Sequence, residues 1–210
     1  MPDISKWNTN NLIIISFLFF GCSSLLKMPD ISIWDISRVT NCDFLFGECS
    51  SLETLPDLSK WETNSIITLI GLFYKCTSLK ILPDISNWNT TNVTVLPFLF
   101  YECSSLKTLP DVSKWNVSNV ILFNNLFFKC SNLISLPDIS KWKIFNSDIT
   151  NLMYFLEFFN YFNINNIKKG FGLSSFLNQN YDNDLHVGGY EFHKVIPKSF
   201  KKEELKEFFF

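Results

Sequence analysis

A 27-residue period governs this chain. Cysteines stand at Cys22, Cys49, Cys76, Cys103 and Cys130, and the six tryptophans at Trp7, Trp34, Trp61, Trp88, Trp115 and Trp142, every step being 27 residues. Pro-Asp opens each unit, at Pro2, Pro29, Pro56, Pro83, Pro110 and Pro137. A fixed period of this length excludes an ordinary globular core. No single unit buries its own apolar face, so neighbouring units must stack and share one continuous interior. The expected fold is a right-handed parallel solenoid of about six coils, with units starting at residues 1, 28, 55, 82, 109 and 136.

Each unit carries three apolar clusters. Leu-x-x-Leu before Pro-Asp, as in Leu106, Leu109 and then Val112, reads as a short parallel strand ended by a proline that cannot donate a ladder hydrogen bond. Val-x-x-Leu, as in Val93 and Leu96, follows an Asn/Thr-rich turn and reads as a second short strand on the opposite side of the coil. Leu-Phe-x-x-Cys, as in Leu99, Phe100 and Cys103, has spacings of three and four, which place these residues on one face of a single helical turn.

The sixth unit departs from the pattern. Trp142 is in register, but "KIFNSD" fills a turn that is shorter elsewhere, and "ITNLMYFL" from Ile149 resumes the pattern displaced by two. Phe159 takes the cysteine position and Phe162 that of the following leucine. Residues 1–164 are therefore read as the solenoid and 165–210 as a C-terminal cap over the last coil's open edge, with a helical piece at Lys201–Phe208. At the other end Met1 falls on the first position of a unit. An uncovered first coil is an aggregation-prone edge, so the expectation is a fragment or a truncated gene model.

The stretch "SFLFFGCSSL" imitates a secretion signal. Its apolar run, Leu12 to Phe20, is broken by Ser16 and falls short of the ~17–25 residues that span a bilayer. Phe19 and Phe20 are too large for a usual cleavage site before Cys22, and "MPDISKWNTNN" has no basic excess. The stretch also recurs in units two to five, which marks it as structural. The expectation is a chain with no signal peptide and no transmembrane segment, intracellular as written, and surface-borne or secreted if it belongs to a longer protein. Asn89, Asn92 and Asn116 open Asn-x-Ser/Thr acceptors that matter only in the second case.

"SSLKTLPDVSKWNVSNV" and "SSLETLPDLSKW", with Phe-x-x-Cys-Ser-Ser-Leu between, resemble the BspA-like leucine-rich-repeat surface proteins. The resemblance covers residues 1 to about 160. Leu18, Leu45, Leu72, Leu99 and Leu126 stand where methionine is expected in that family. It implies a leucine-rich-repeat-like solenoid used for adhesion or protein binding, and it does not imply an enzyme.

The repeats offer four ladders to weigh. The cysteines stack at a strand spacing of roughly 4.8 Å, inside disulfide range, but five parallel side chains cannot all pair, so a buried reduced column is expected. Cys42 is a core filler, because equivalent positions hold Ile15, Leu69, Leu96 and Phe123. The tryptophans form either a packed aromatic stack or, if exposed, a glycan platform. Asp3, Asp30, Asp57, Asp84, Asp111 and Asp138 read as Asp-x-Ser turns, with bound calcium as the sharper alternative. Lys6, Lys60, Lys114 and Lys141 lie three residues further on and supply positive charge.

The fourth ladder lies between the paired leucines. Lys27, Glu53, Thr54, Lys80, Lys107, Thr108 and Ser135, with Leu26, Ile81 and Ile134, lean outward on a strand and form the expected partner-binding face. Its mixed charge suits another protein better than a polyanion. A net charge of −2 without a Lys/Arg cluster argues against nucleic acid.

Nothing in the sequence makes a catalytic centre. The two histidines, His186 and His193, lie outside the repeats and near only Asp184 and Glu191, so no metal or cofactor is expected. The expected function is a non-catalytic protein-binding or adhesin-like module. A glycan-binding solenoid and an intracellular scaffold are the alternatives, and an enzyme in the tail is the least favoured.

Overall fold

The computed structural model describes residues 3–134, Ile139 and Trp142, and the backbone of 186–187 and 190–191. Successive coils join through isolated parallel bridges. One line runs Ile14, Asn41, Thr68, Val95, Leu122, and the other Lys27, Thr54, Ile81, every step being one period. These lines sit in the two clusters expected to be strands, but each rung is a single bridged residue rather than a strand. The reason is local. Beside the second line, the Asp30 carboxylate accepts the Ser32 N–H at 2.9 Å, and Asp57, Asp84 and Asp111 repeat that turn two residues on.

The third cluster is not a helical turn, and no helix occurs among the described residues. Residues 15–22 alternate two kinds of hydrogen bond. Leu18, Phe20 and Cys22 donate three residues back, to Ile15, Phe17 and Phe19, at 3.4, 3.0 and 3.1 Å. Phe17, Phe19 and Gly21 donate instead to Asp43, Leu45 and Gly47 of the next coil, at 2.9, 3.0 and 2.8 Å. Aiming every second N–H along the solenoid axis requires left-handed backbone at two positions per coil. One set is Phe17, Phe44, Gly71, Phe98 and Asn125, and the other Gly21, Glu48, Lys75, Glu102 and Lys129. For an L-residue this conformation costs about 1–2 kcal/mol. The cross-coil bonds offset it, at about 0.5–1.5 kcal/mol each.

The interior is built of columns along the axis. Phe19, Phe46, Phe73, Phe100 and Phe127 stack with centroids 5.5–5.9 Å apart and nearly parallel rings. Beside them run Leu45, Leu72, Leu99 and Leu126, and Leu52, Leu79, Leu106 and Leu133, all buried. Cys42 is buried in line with Leu69, Leu96 and Phe123, as expected of a core filler. Outside the repeats, β1 (His186–Val187) pairs antiparallel with β2 (Tyr190–Glu191). The expected helix at Lys201–Phe208 and most of the sixth unit lie outside the described residues.

Two glycines test the left-handed positions. An alanine Cβ at Gly21 (φ +71°) meets nothing within 4 Å, whereas at Gly71 (φ +55°) it lands 2.3 Å from the Phe44 ring. Gly21→Ala should therefore cost about 1 kcal/mol, from backbone strain alone. Gly71→Ala should cost clearly more. Urea unfolding of the two variants beside the parent measures both, and equal losses would remove the packing part of this account.

Candidate functional site

The surface between the paired leucines is open. Lys27, Glu53, Thr54, Lys80, Lys107 and Thr108 are all exposed, and Leu26, Ile81 and Ile134 stand 60–66% exposed among them. Ser135 lies outside the described residues. The backbone beneath is held coil to coil: Glu53 N–H donates to Leu26 O at 3.2 Å, Lys80 to Glu53 at 3.2 Å and Ile134 to Lys107 at 3.0 Å. Lys80 Nζ lies 2.9 Å from Glu53 Oε2, an exposed pair worth little to stability. The result is a fixed, wettable face of mixed charge and aliphatic character.

The tryptophans are structural over the described coils. Trp34, Trp61, Trp88, Trp115 and Trp142 are 3–4% exposed. Each indole N–H donates at 3.0–3.1 Å to a carbonyl of the preceding coil, those of Ile4, Ile31, Leu58, Ile85 and Val112. Stacking leaves these rings no open face for a sugar, as with Trp88 and Trp115, 6.5 Å apart and parallel. Trp7 is the exception at 52% exposed. It borders a hollow of about 460 Å³ with Leu12, Ile14 and Leu18, where Lys6 is the single charged residue.

All six cysteines are free, and all but Cys22 are buried. The Sγ–H of Cys49, Cys76, Cys103 and Cys130 donates to Phe19, Phe46, Phe73 and Phe100 O of the preceding coil at 3.0–3.1 Å. Burial pushes the thiols of Cys42, Cys49 and Cys130 up to about 12, and those of Cys76 and Cys103 well above the ordinary thiol range. A buried protonated thiol is a poor nucleophile and a poor metal ligand.

The aspartates serve as turns. Hydrogen bonds from the serine hydroxyl and then the serine N–H hold Asp3, Asp30, Asp57 and Asp84 below the ordinary carboxylate range. Among the described residues no three His, Cys, Asp or Glu side chains come together as a metal site. Asp138, Asp184 and His193 lie outside them, as do the side chains of His186 and Glu191. No helix among the described residues is long and apolar enough to cross a membrane.

A second surface is not evident from the repeat pattern. The outward positions of the left-handed turn carry Phe17, Phe20, Phe44, Tyr74, Phe98, Tyr101 and Phe128, linked edge-to-face or stacked into one strip. Phe17 and Phe20 are exposed and the others half-buried. Glycine interrupts both aromatic columns, at Gly47 and Gly71, and rings of the preceding coil, Phe20 and Phe44, lie over those gaps. Beside the strip runs a column of charge: Glu48, Lys75, Glu102, Lys129. Lys75 pairs with Glu48 at 3.6 Å and Lys129 with Glu102 at 2.7 Å.

The profile of the family described as "Mycoplasma protein of unknown function, DUF285" matches residues 1–81 and again 80–187. The chain belongs to this family. No curated protein matches it. Among solved structures it is similar to the T. pallidum leucine-rich repeat protein TpLRR, at 19% identity and a TM-score of 0.35, over 65% of this chain and 67% of that one. It is likewise similar to a leucine-rich repeat protein from Bacteroides ovatus, at 19% identity and a TM-score of 0.35, over 65% of this chain and 41% of that one. The solenoid itself rests on the cross-coil hydrogen bonds of this chain.

Two measurements check the ladders. Acrylamide should quench a single tryptophan population, and Trp7→Phe should abolish it; quenching that persists would place further indoles at the surface. The pH profile of stability has two edges. The aspartates titrate below their ordinary 3.8, so their contribution is present above that value and lost as pH falls through it. The thiols titrate above their ordinary 9.0, so their contribution is complete below pH 9 and lost as pH rises from there towards about 12. Melting temperatures should be flat between the two edges, and a profile still flat from pH 9 upward would contradict the buried column.

Proposed function

We propose that this chain is a non-catalytic binding module that engages another protein through the face between its paired leucines. One observation carries the reading. A row of side chains that do no packing work is held in register by the backbone across successive coils, with charged and aliphatic groups interspersed. Repeat solenoids use such continuous surfaces for partners, and a mixed surface of this kind suits a protein. The resemblance to BspA-like surface repeats points to the same use, adhesion or protein binding. The reading as a glycan platform loses support, because the aromatic ladder that would serve it is turned inward. The repeats also hold no histidine, and a surface repeated every 27 residues favours extended contact over a single reaction centre.

The test exchanges charge on that face. Glu53→Lys, Lys80→Glu and Lys107→Glu are made together, which inverts the Glu53–Lys80 pair without leaving either charge alone. Partners are captured from a soluble protein extract on the immobilised parent, identified by mass spectrometry, and titrated against both forms. Melting temperature should hold, since exposed substitutions usually stay within about 0.5 kcal/mol. Affinity should fall about tenfold or more, a loss of at least about 1.4 kcal/mol. Unchanged affinity would move the site off this face.

A further inference from the structure

We infer that the aromatic strip and its charge column form a self-association surface, on which a second copy of this chain packs antiparallel about a twofold axis between Lys75 and Glu102. The argument begins with sign and order. From coil two to coil five the column reads Glu48, Lys75, Glu102, Lys129: negative, positive, negative, positive. A twofold axis in the interface plane and perpendicular to the solenoid axis reverses this order in the partner, while each column still faces its own counterpart. Glu48 then faces Lys129 of the other copy, and Lys75 faces Glu102, with both pairs repeated by symmetry. All four charges meet their opposites. A parallel arrangement sets like on like at every coil, and so does an axis passing through coil three or coil four. Like charges opposed across an interface are strongly disfavoured, and of the remaining registers only this one pairs all four charges.

The rest of the surface agrees. The column sums to zero charge, which gives neither a polyanion nor an anionic membrane anything to bind. A column alternating once per coil needs a partner with the same rise and the opposite order, and a second copy of this solenoid has both. The flanking aromatic strip, from Phe44 through Tyr74 and Tyr101 to Phe128, then lies against its own image, with Tyr74 opposite Tyr101 at the axis. These four rings are half-buried, and the parts they leave open make one contiguous apolar strip, the kind of surface that marks an interface. The face between the paired leucines lacks this symmetry, since its charged column reads Glu53, Lys80, Lys107 and has no self-complementary order. The inference therefore does not depend on the proposed function.

The test is sedimentation of the full chain over a range of concentrations. Dimer should appear at low salt and weaken at high salt, as the screening length falls from about 10 Å at 0.1 M to 3 Å at 1 M. Lys75→Glu with Lys129→Glu gives an all-acidic column, and Glu48→Lys with Glu102→Lys an all-basic one. Each alone should be monomeric, with self-association weakened at least tenfold, and an equimolar mixture should dimerise. Exchanging all four restores alternation and should dimerise like the parent. Should a single-sign column fail to fold by circular dichroism, the neutral column with glutamine at all four positions takes its place and should dimerise more weakly than the parent. A parent that stays monomeric overturns the inference. So does an all-acidic or neutral variant that dimerises undiminished, or a mixture that does not associate.

Discussion

The whole molecule depends on one hydrogen-bonded turn that faces its neighbour rather than itself. In residues 15–22 and their repeats, every second N–H leaves its own coil for a carbonyl of the next. That geometry demands two left-handed residues per coil, and eight of the ten positions hold residues that resist it. The strain is tolerable because it is collective. A coil alone has no acceptor along the axis and no reason to adopt the turn. Stacked coils supply the acceptors, and the buried phenylalanine column holds the spacing.

The side-chain columns reinforce the same step. Indole N–H and thiol S–H donors reach back to the preceding coil, while the turn N–H groups reach forward to the next. Each interior coil is therefore gripped from both sides by donors of opposite direction. Tryptophan and cysteine at these core positions therefore add a cross-coil hydrogen bond that an aliphatic side chain cannot make. Each N–H or S–H is the second donor to its carbonyl: Phe19 O accepts Cys22 N–H within its own turn and Cys49 Sγ–H from the next coil, and Ile31 O accepts Trp34 N–H and the Trp61 indole N–H.

Much of this was legible in the residues. The period, the tryptophan and cysteine columns, the Asp-x-Ser turns and the outward pair between leucines all follow from residues that repeat by identity. The departures arise where a position repeats by backbone conformation instead. Phe17, Phe44, Gly71, Phe98 and Asn125 share a left-handed φ but no side-chain chemistry, so spacing alone suggested a helical turn. Gly21 and Gly71 were the available hint, since each holds the left-handed position that its counterparts fill with other residues. Along Lys27, Thr54 and Ile81 the strand shrank to bridges because proline and the following Asp-x-Ser turn leave no length for a ladder. The aromatic strip escaped notice because its members are shared between two alternating positions, each interrupted by glycine.

The register of these bonds also sets how the gene of such a chain can change. An insertion or deletion of a few residues inside a coil disturbs the indole, thiol and turn N–H bonds that join that coil to its two neighbours. Loss or gain of a whole 27-residue unit leaves each remaining donor opposite an equivalent carbonyl. Length is thus quantised in sequence space. Unequal recombination between near-identical repeats is conservative here, whereas single-codon slippage falls on the bonds of the coil that takes it.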